Sequence, residues 1–155
     1  MPDEPTSTRP PDGERRTLRA RHRLSKDLDY KAAFGARLRK SRGGITIFAR
    51  ATALAEHRLG LSVGRAYGGA VERNRMKRLI REAFRLERHE LPRHAGGAYD
   101  VVVSARRHEA QRLDWYRRTL RELVEQAHAE HERRASRRPG GRPSDREGAD
   151  REGAE

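Results

Sequence analysis

Apolar residues recur with helical spacing in two long stretches of the chain. Over residues 70–91 they fall on one broad side of a helical wheel, and over residues 113–133 they form one stripe. The apolar positions are Met76, Leu79, Ile80, Ala83, Phe84 and Leu91 in the first stretch, and Leu113, Tyr116, Leu120, Leu123, Val124 and Ala127 in the second. The spacing therefore predicts two long amphipathic helices.

Three shorter stretches have the pattern of β-strands. In residues 45–50 (ITIFAR) and 58–63 (RLGLSV), successive side chains are expected to point to opposite faces of a strand. Residues 99–106 (YDVVVSAR) contain a run of valines. Within the second stretch, every other residue is apolar, which places Leu59, Leu61 and Val63 on one face. The pattern predicts strands over all three ranges.

A shorter helix is predicted over residues 25–37, with Ser25 as its N-cap and with Asp27 and Asp29 in its first turn. Together the elements predict an α+β fold, in which helices pack on one small sheet. Residues 19–132 have the apolar content of a single small domain. The flanking residues 1–18 and 133–155 are polar and contain most of the proline, so we predict disordered tails there.

The charge of the chain indicates a polyanionic partner. Lys and Arg number 36 against 23 Asp and Glu, giving a formal net charge of +13. No apolar run approaches the length that spans a bilayer, the first residues lack a signal-peptide pattern, and there is no cysteine. We therefore expect a soluble, cytoplasmic protein that binds nucleic acid, with no membrane partner and no tightly bound metal of its own.

The predicted helix over residues 70–91 separates its charges in an unusual way. Asn74 and most of the helix's cations fall within a sector of roughly 100° on the helical wheel, and Glu72, Glu82, Glu87 and Glu90 all lie outside that sector. The residues in the sector are Asn74, Lys77, Arg78, Arg81, Arg85 and Arg88. A helix that is merely soluble usually mixes its signs, although a solvated basic face is a common alternative. The separation favours a face that binds phosphates.

The segment Arg73-Asn74-Arg75-Met76-Lys77-Arg78-Leu79-Ile80-Arg81-Glu82 resembles the RNR motif helix of the bacterial ribonuclease P protein family. The resemblance extends from about residue 23 to residue 124 and includes a preceding strand and glycine-containing loop. It implies a mixed sheet of about four strands packed with three helices, with a left-handed βαβ crossover. One departure is Ala66, which stands where the family often has a second basic residue.

The resemblance also implies the activity and the partners. The protein would be a subunit of the endoribonuclease ribonuclease P, binding the catalytic RNA and the 5′ leader of precursor tRNA. The RNA subunit would hydrolyse the phosphodiester with magnesium that it binds itself, so no catalytic residue is expected in the protein. The RNA-binding residues implied on the motif helix are Arg73, Asn74, Arg75, Lys77, Arg78, Arg81 and Arg85.

A second predicted surface involves aromatic residues. Tyr30 and Phe34 share one side of the first helix, and Phe48 lies on the strand face opposite Ile45 and Ile47. From the spacing alone, a core role is favoured for the helical pair, with Leu24, Leu28 and Ala32 making a separate core contact. The resemblance instead implies a leader-binding cleft. Its residues are Tyr30, Phe34, Phe48, Lys26 and Arg65.

Two other classes of nucleic-acid protein fit the charge. A generic RNA-binding protein, such as a ribosomal or assembly protein, would have no preference for precursor tRNA. A helical DNA-binding protein is disfavoured by the predicted sheet and aromatic residues, so no DNA partner is expected. A protein-only ribonuclease would need a cluster of carboxylates for metal, and we find no such pattern.

Overall fold

The computed structural model describes residues 18–137. Three helices and four strands make up this part of the chain. In chain order they are α1 (Asp27–Gly35), β1 (Leu38–Arg42), β2 (Ile45–Ala51), β3 (Arg58–Ser62), α2 (Ala70–Glu87), β4 (Tyr99–Ala105) and α3 (Leu113–Arg137). Short 3₁₀ turns cover Ala20–His22 and Arg65–Tyr67.

The strands form one mixed sheet in the order β1-β2-β4-β3. The pairs β1–β2 and β2–β4 are antiparallel, whereas β3 and β4 are parallel neighbours joined through α2. Such a parallel pair with a helical connection is a βαβ unit. The predicted α+β fold with a mixed four-stranded sheet and three helices is confirmed, and the left hand of the crossover stays a prediction from the resemblance.

The main core lies between one face of the sheet and the two long helices. Alternate residues of β2, among them Ile45, Ile47 and Ala49, are buried there, as are Val101 and Val103 of β4. The predicted apolar stripes of α2 and α3 cover this face. A buried carboxylate, Glu87, joins the helices by accepting hydrogen bonds from Arg117 (2.6 Å) and Arg121 (3.0 Å).

Helix α1 packs on the opposite face of the sheet and differs in detail from its prediction. The N-cap is Lys26 rather than Ser25, with no side-chain cap, while Asp27 and Asp29 do lie in the first turn. Leu28 is 75% exposed, so the predicted core contact through that residue is wrong. The contact is made instead by Ala33, which is buried against Leu24 and Val102.

Strand β1 is the fourth strand, which the sequence pattern did not locate. It pairs with β2 along its whole length, from Leu38↔Ala49 to Arg42↔Ile45. The connecting turn uses Gly43 (φ 55°) and Gly44 (φ 90°), and a Cβ on Gly43 would lie 2.9 Å from the ring of Trp115. The turn is thereby packed against the start of α3.

The long helices end at different residues from those predicted. Helix α2 ends at Glu87 rather than 91, and Leu91 is buried in the core just beyond it. Helix α3 runs to Arg137, four residues beyond its predicted end at 133 and into the stretch predicted as a tail. Residues 1–17 and 138–155 of the predicted tails lie outside the described residues.

Candidate nucleic-acid interface

Helix α2 presents a set of cations along its solvent side, of which Arg75, Arg78 and Arg81 are exposed and Arg73 and Lys77 are half-buried. The helix begins after Gly69, whose backbone N–H donates to the Glu72 carboxylate (3.0 Å), and its apolar side is buried at Met76, Ile80 and Phe84. On the other side, the cations Arg73, Arg75, Lys77, Arg78 and Arg81 make no ion pair within residues 18–137, and we call these five residues the basic face. Asn74 is exposed beside them.

Two further cations of the predicted sector are already neutralised. Arg85 donates from Nε to Glu82 (3.0 Å), which raises the pKa of Arg85 and lowers that of Glu82. Arg88 is buried and lies 3.7 Å from the Glu56 carboxylate. Glu82 lies outside the predicted cationic sector on the helical wheel, but its side chain reaches Arg85, so the basic face ends at Arg81. Arg85 would contact phosphate only in competition with Glu82.

A groove runs along the basic face. Its volume is about 640 Å³, and Leu18, Leu79 and Leu113 supply its apolar lining. The charged residues around it are Arg23, Arg75, Arg78, Arg81, Glu82 and Arg85. Arg23 was not predicted as a site residue, because it lies outside the helix and reaches the groove through its pairing beside Leu59 of β3. The groove offers an apolar wall within a cationic rim, a combination that suits nucleotides.

The aromatic residues meet on the sheet face beneath α1. The rings of Phe34 and Phe48 lie edge to face with centroids 4.7 Å apart, and Phe34 is 40% exposed. The guanidinium of Arg39 lies 5.9 Å from the Phe48 centroid. Tyr30 packs in the same cluster, and its hydroxyl accepts a hydrogen bond from the Leu61 backbone N–H (3.1 Å). We call Tyr30, Phe34 and Phe48 the aromatic cleft.

The other two residues predicted for the cleft lie at its margins. Lys26 is the exposed N-cap of α1, one turn before Tyr30. Arg65 is exposed in the 3₁₀ turn before α2 and does not line the groove beside Tyr30. A smaller groove of about 240 Å³ is lined by Tyr30 together with Lys77 and Arg81, so the aromatic cleft and the basic face adjoin across the edge strand β3.

A buried ion network fixes α1 over this face. Asp100, fully buried on β4, accepts two hydrogen bonds from Arg58 (2.8 and 2.7 Å) and one from Arg50 (2.8 Å). Asp29 of α1 lies 3.7 Å from Arg50 and 3.6 Å from Arg58. The hydrogen bonding of Arg58 to the Asp100 carboxylate is the main reason that the pKa of Arg58 is raised. These two arginines are thus structural rather than free to bind RNA.

Beyond α1, the same face of the sheet carries a row of hydroxyl groups. Ser41, Thr46, Ser104 and Ser62 are successive partners across β1, β2, β4 and β3, and Ser41 and Thr46 are hydrogen-bonded (2.8 Å). A groove of about 520 Å³ runs beside this row, with Arg39, Arg42 and Arg106 among its lining residues. Because β1 (LRKSR) has one apolar residue followed by four polar ones, no alternation marks it as a strand, and the sequence pattern did not reveal this surface.

Among residues 18–137, no group of three or more His, Asp or Glu side chains is placed to hold a metal ion. Within the same residues, no helix is both long enough and apolar enough to cross a membrane.

Comparison of the sequence with known proteins points to one family. Residues 18–128 match the family model described as Ribonuclease P. The chain is 42% identical over 86 residues to the ribonuclease P protein component of Methylococcus capsulatus, a match that spans 55% of this chain and 63% of that protein. It is 37% identical over 109 residues to the corresponding component of Desulfovibrio desulfuricans, covering 70% of this chain and 79% of the relative.

Two solved structures have the same fold as this chain. The ribonuclease P protein of Thermotoga maritima superposes with a TM-score of 0.57 and 27% identity, over 66% of this chain and 94% of that one. The Staphylococcus aureus protein, at 24% identity, shares the fold with a TM-score of 0.57, over 67% of this chain and 93% of its own. The family model covers nearly all of the folded residues, including the basic face and the aromatic cleft. The chain therefore belongs to the ribonuclease P protein family.

Proposed function

We propose that this protein is the protein subunit of ribonuclease P, which binds the catalytic RNA and the 5′ leader of precursor tRNA and assists removal of the leader. The relatives named above are ribonuclease P protein components, and the matched segment spans about two thirds of the length of several of them. Assembly with an RNA subunit follows from that likeness.

The observation that carries the proposal is the distribution of unpaired cations. Several arginines elsewhere in the domain are held by carboxylates, as Arg50 and Arg58 are by Asp100 and as Arg117 is by Glu87. Unpaired arginines also occur on α3, but Arg118 and Arg133 lie far apart along that helix. The five cations of the basic face have no such partner among the described residues. Like charges on one helix repel each other, and phosphates would relieve that repulsion while releasing counterions. The basic face therefore docks on the RNA subunit in our proposal.

The aromatic cleft supplies the second half of the proposal. The half-exposed ring of Phe34, the neighbouring Phe48 and the cation of Arg39 form a surface on which an unpaired base can stack. Such stacking needs single-stranded nucleic acid. The 5′ leader provides it, and mature tRNA lacks the leader. The cleft would hold the leader while the adjoining basic face holds the catalytic RNA.

The protein would act by binding and placement rather than by bond breaking. The side chains of residues 18–137 form no metal cluster, so the magnesium ions that activate the attacking water would be held by the RNA subunit. The protein would add affinity for the substrate and reduce the repulsion between two polyanions. Both effects lower the magnesium concentration that the holoenzyme requires.

The salt dependence of RNA binding tests the role of the basic face. Five phosphate contacts predict a slope of about −3.5 to −4.5 when the logarithm of the association constant is plotted against that of salt concentration. Replacing Arg78 and Arg81 by Ala should flatten the slope by about 1.5 to 2 units. The measurement is a titration of the full chain onto a bacterial ribonuclease P RNA at several salt concentrations.

A matched control removes two charges from another helix. Arg118 and Arg133 are exposed on α3 and make no ion pair within the described residues, so their double replacement by Ala should leave the slope nearly unchanged. Equal slopes for the two double variants would reject docking through the basic face. Equal affinity for precursor and mature tRNA would instead favour a generic RNA-binding protein.

A further inference from the structure

We propose that Arg134 is a positioning residue that holds the C-terminal end of α1, and with it Phe34, in the geometry that binds the leader. The inference rests on the proposed function of the aromatic cleft. Arg134 and its partner Glu130 lie beyond residue 128, where the match to the family model ends. Arg134 also lies just past residue 133, the predicted end of the helix.

Helix α1 needs tertiary contacts to keep its place. It has only nine residues, and isolated helices of that length are not stable in water. At its N-terminal half, Asp29 approaches Arg50 and Arg58, and Tyr30 accepts a hydrogen bond from Leu61. The C-terminal half has Ala33 packed on the sheet and the edge-to-face contact between Phe34 and Phe48.

Arg134 binds the end of α1 directly. The helix stops at Gly35, and the chain turns sharply into β1 with Arg37 at φ 63°, a conformation that non-glycine residues seldom adopt. The guanidinium of Arg134 donates to the carbonyl oxygens of Ala36 (3.3 Å) and Arg37 (2.8 Å). Carbonyls at a helix C-terminus lack partners within the helix and favour a nearby cation, so Arg134 acts as a cap supplied from 97 residues away.

Glu130 connects this cap to the sheet. Its carboxylate pairs with Arg134 one turn further along α3 and with Lys40 of β1 at 2.6 Å. The last turns of α3 thus hold both the helix that carries Phe34 and the strand that follows it. Hydrogen bonds from both sides orient the Arg134 guanidinium. Loss of the cap would free the last turn of α1, in which Phe34 is the penultimate residue.

The test compares Arg134→Gln with Arg133→Gln in the full chain reconstituted with ribonuclease P RNA. Arg133 is exposed on the same helix and makes no ion pair within residues 18–137, so the two variants lose the same charge. The measured quantity is the ratio of the affinities for leader-bearing precursor tRNA and mature tRNA. We expect Arg134→Gln to lower this ratio about fivefold, since two hydrogen bonds to a charged group are lost, and Arg133→Gln to leave it unchanged.

A double-mutant cycle tests whether Arg134 affects leader binding through Phe34. If Arg134 acts through Phe34, then Phe34→Ala lowers the ratio and adding Arg134→Gln lowers it no further. Additive losses, or a wild-type ratio in Arg134→Gln, would overturn the inference. A Phe34→Ala variant with the wild-type ratio would overturn the proposed function of the cleft instead.

Amide hydrogen exchange provides a readout that does not depend on tRNA. Faster exchange confined to the last turn of α1 is expected for Arg134→Gln and not for Arg133→Gln. Unchanged exchange there would reject the cap itself. If Arg134→Gln proves unfolded by circular dichroism, Arg134→Lys is the second variant, because it retains the charge but has a single donor nitrogen in place of the forked guanidinium. It is expected to give a smaller loss of the affinity ratio, and an undiminished ratio would contradict the inference.

Discussion

His57 shows how a single side chain makes the stability of this protein depend on pH. The ring is buried, its Nδ1 accepts a hydrogen bond from the Tyr99 backbone N–H (3.0 Å), and its Nε2 lies 3.4 Å from the Leu91 carbonyl oxygen. This arrangement needs a neutral ring with the proton on Nε2. Burial, assisted by the nearby charge of Arg93, lowers the pKa of His57 to about 4.

The lowered pKa predicts a loss of stability on mild acidification. Below a pH of about 6.5 the unfolded chain binds a proton at His57 that the folded protein does not bind, so stability falls as the pH drops from there towards 4. Between pH 7 and pH 5 the loss from this residue should be about 2 kcal/mol. Urea unfolding at the two pH values measures it.

Replacement of His57 by Gln separates the contribution of His57 to the pH dependence of stability from the contributions of the other histidines. The variant should be less stable at pH 7 but should lose about 2 kcal/mol less than the wild type on going to pH 5. His22 and His131, whose pKa values are also lowered mainly by burial, remain in both proteins and cancel in the comparison. Parallel pH curves for variant and wild type would contradict the assignment.

At the scale of elements, the seating of α1 on β3 depends on a glycine. A Cβ on Gly60 would lie 2.8 Å from the ring of Tyr30 and 2.9 Å from Leu24, both buried or half-buried against the sheet. Gly60→Ala should therefore displace α1 and destabilise the protein by about 1 to 3 kcal/mol. Chemical denaturation gives the loss in the free energy of unfolding.

Gly64→Ala is the control for that change. Nothing lies within 4 Å of the position that its Cβ would occupy, and its backbone is extended (φ −90°). This variant should be as stable as the wild type. Equal losses for the two substitutions would indicate a general cost of removing glycine rather than a clash beneath α1.

The helices and strands differ in how well they could be predicted from the sequence. Helices α2 and α3 and strand β4 were predicted close to their observed bounds, because each has a long periodic or strongly apolar pattern. Strand β1 (LRKSR) has one apolar residue and exists because β2 pairs with it. Its location depends on tertiary contacts that a local pattern does not contain.

The candidate site was predictable to a similar degree. The basic face follows from helical spacing, and the pairing of Arg85 with Glu82 three residues earlier could have been anticipated from that same spacing. The burial of Arg88 against Glu56 and the capping of α1 by Arg134 could not, because each joins segments far apart in the chain. Both depend on how the helices pack.

At the scale of the whole molecule, folding sorts the charges. Carboxylates such as Glu56, Glu87 and Asp100 are used inside the domain to hold arginines; the pKa of Glu56 falls to about 2, chiefly through its hydrogen bond from Arg21. Five of the cations left over lie together on the basic face, which adjoins the aromatic cleft across β3. Other unpaired cations, such as Arg118 and Arg133, lie on α3, so it is the grouping of cations on α2 that marks the surface where two RNAs could meet.

The most direct test of this account is cleavage of a precursor tRNA by the full chain reconstituted with a bacterial ribonuclease P RNA at low magnesium concentration. The account predicts that removal of the 5′ leader requires both components, and that protein without RNA cleaves nothing. Tight binding of the protein to the RNA with no stimulation of cleavage would contradict it, and so would cleavage by the protein alone.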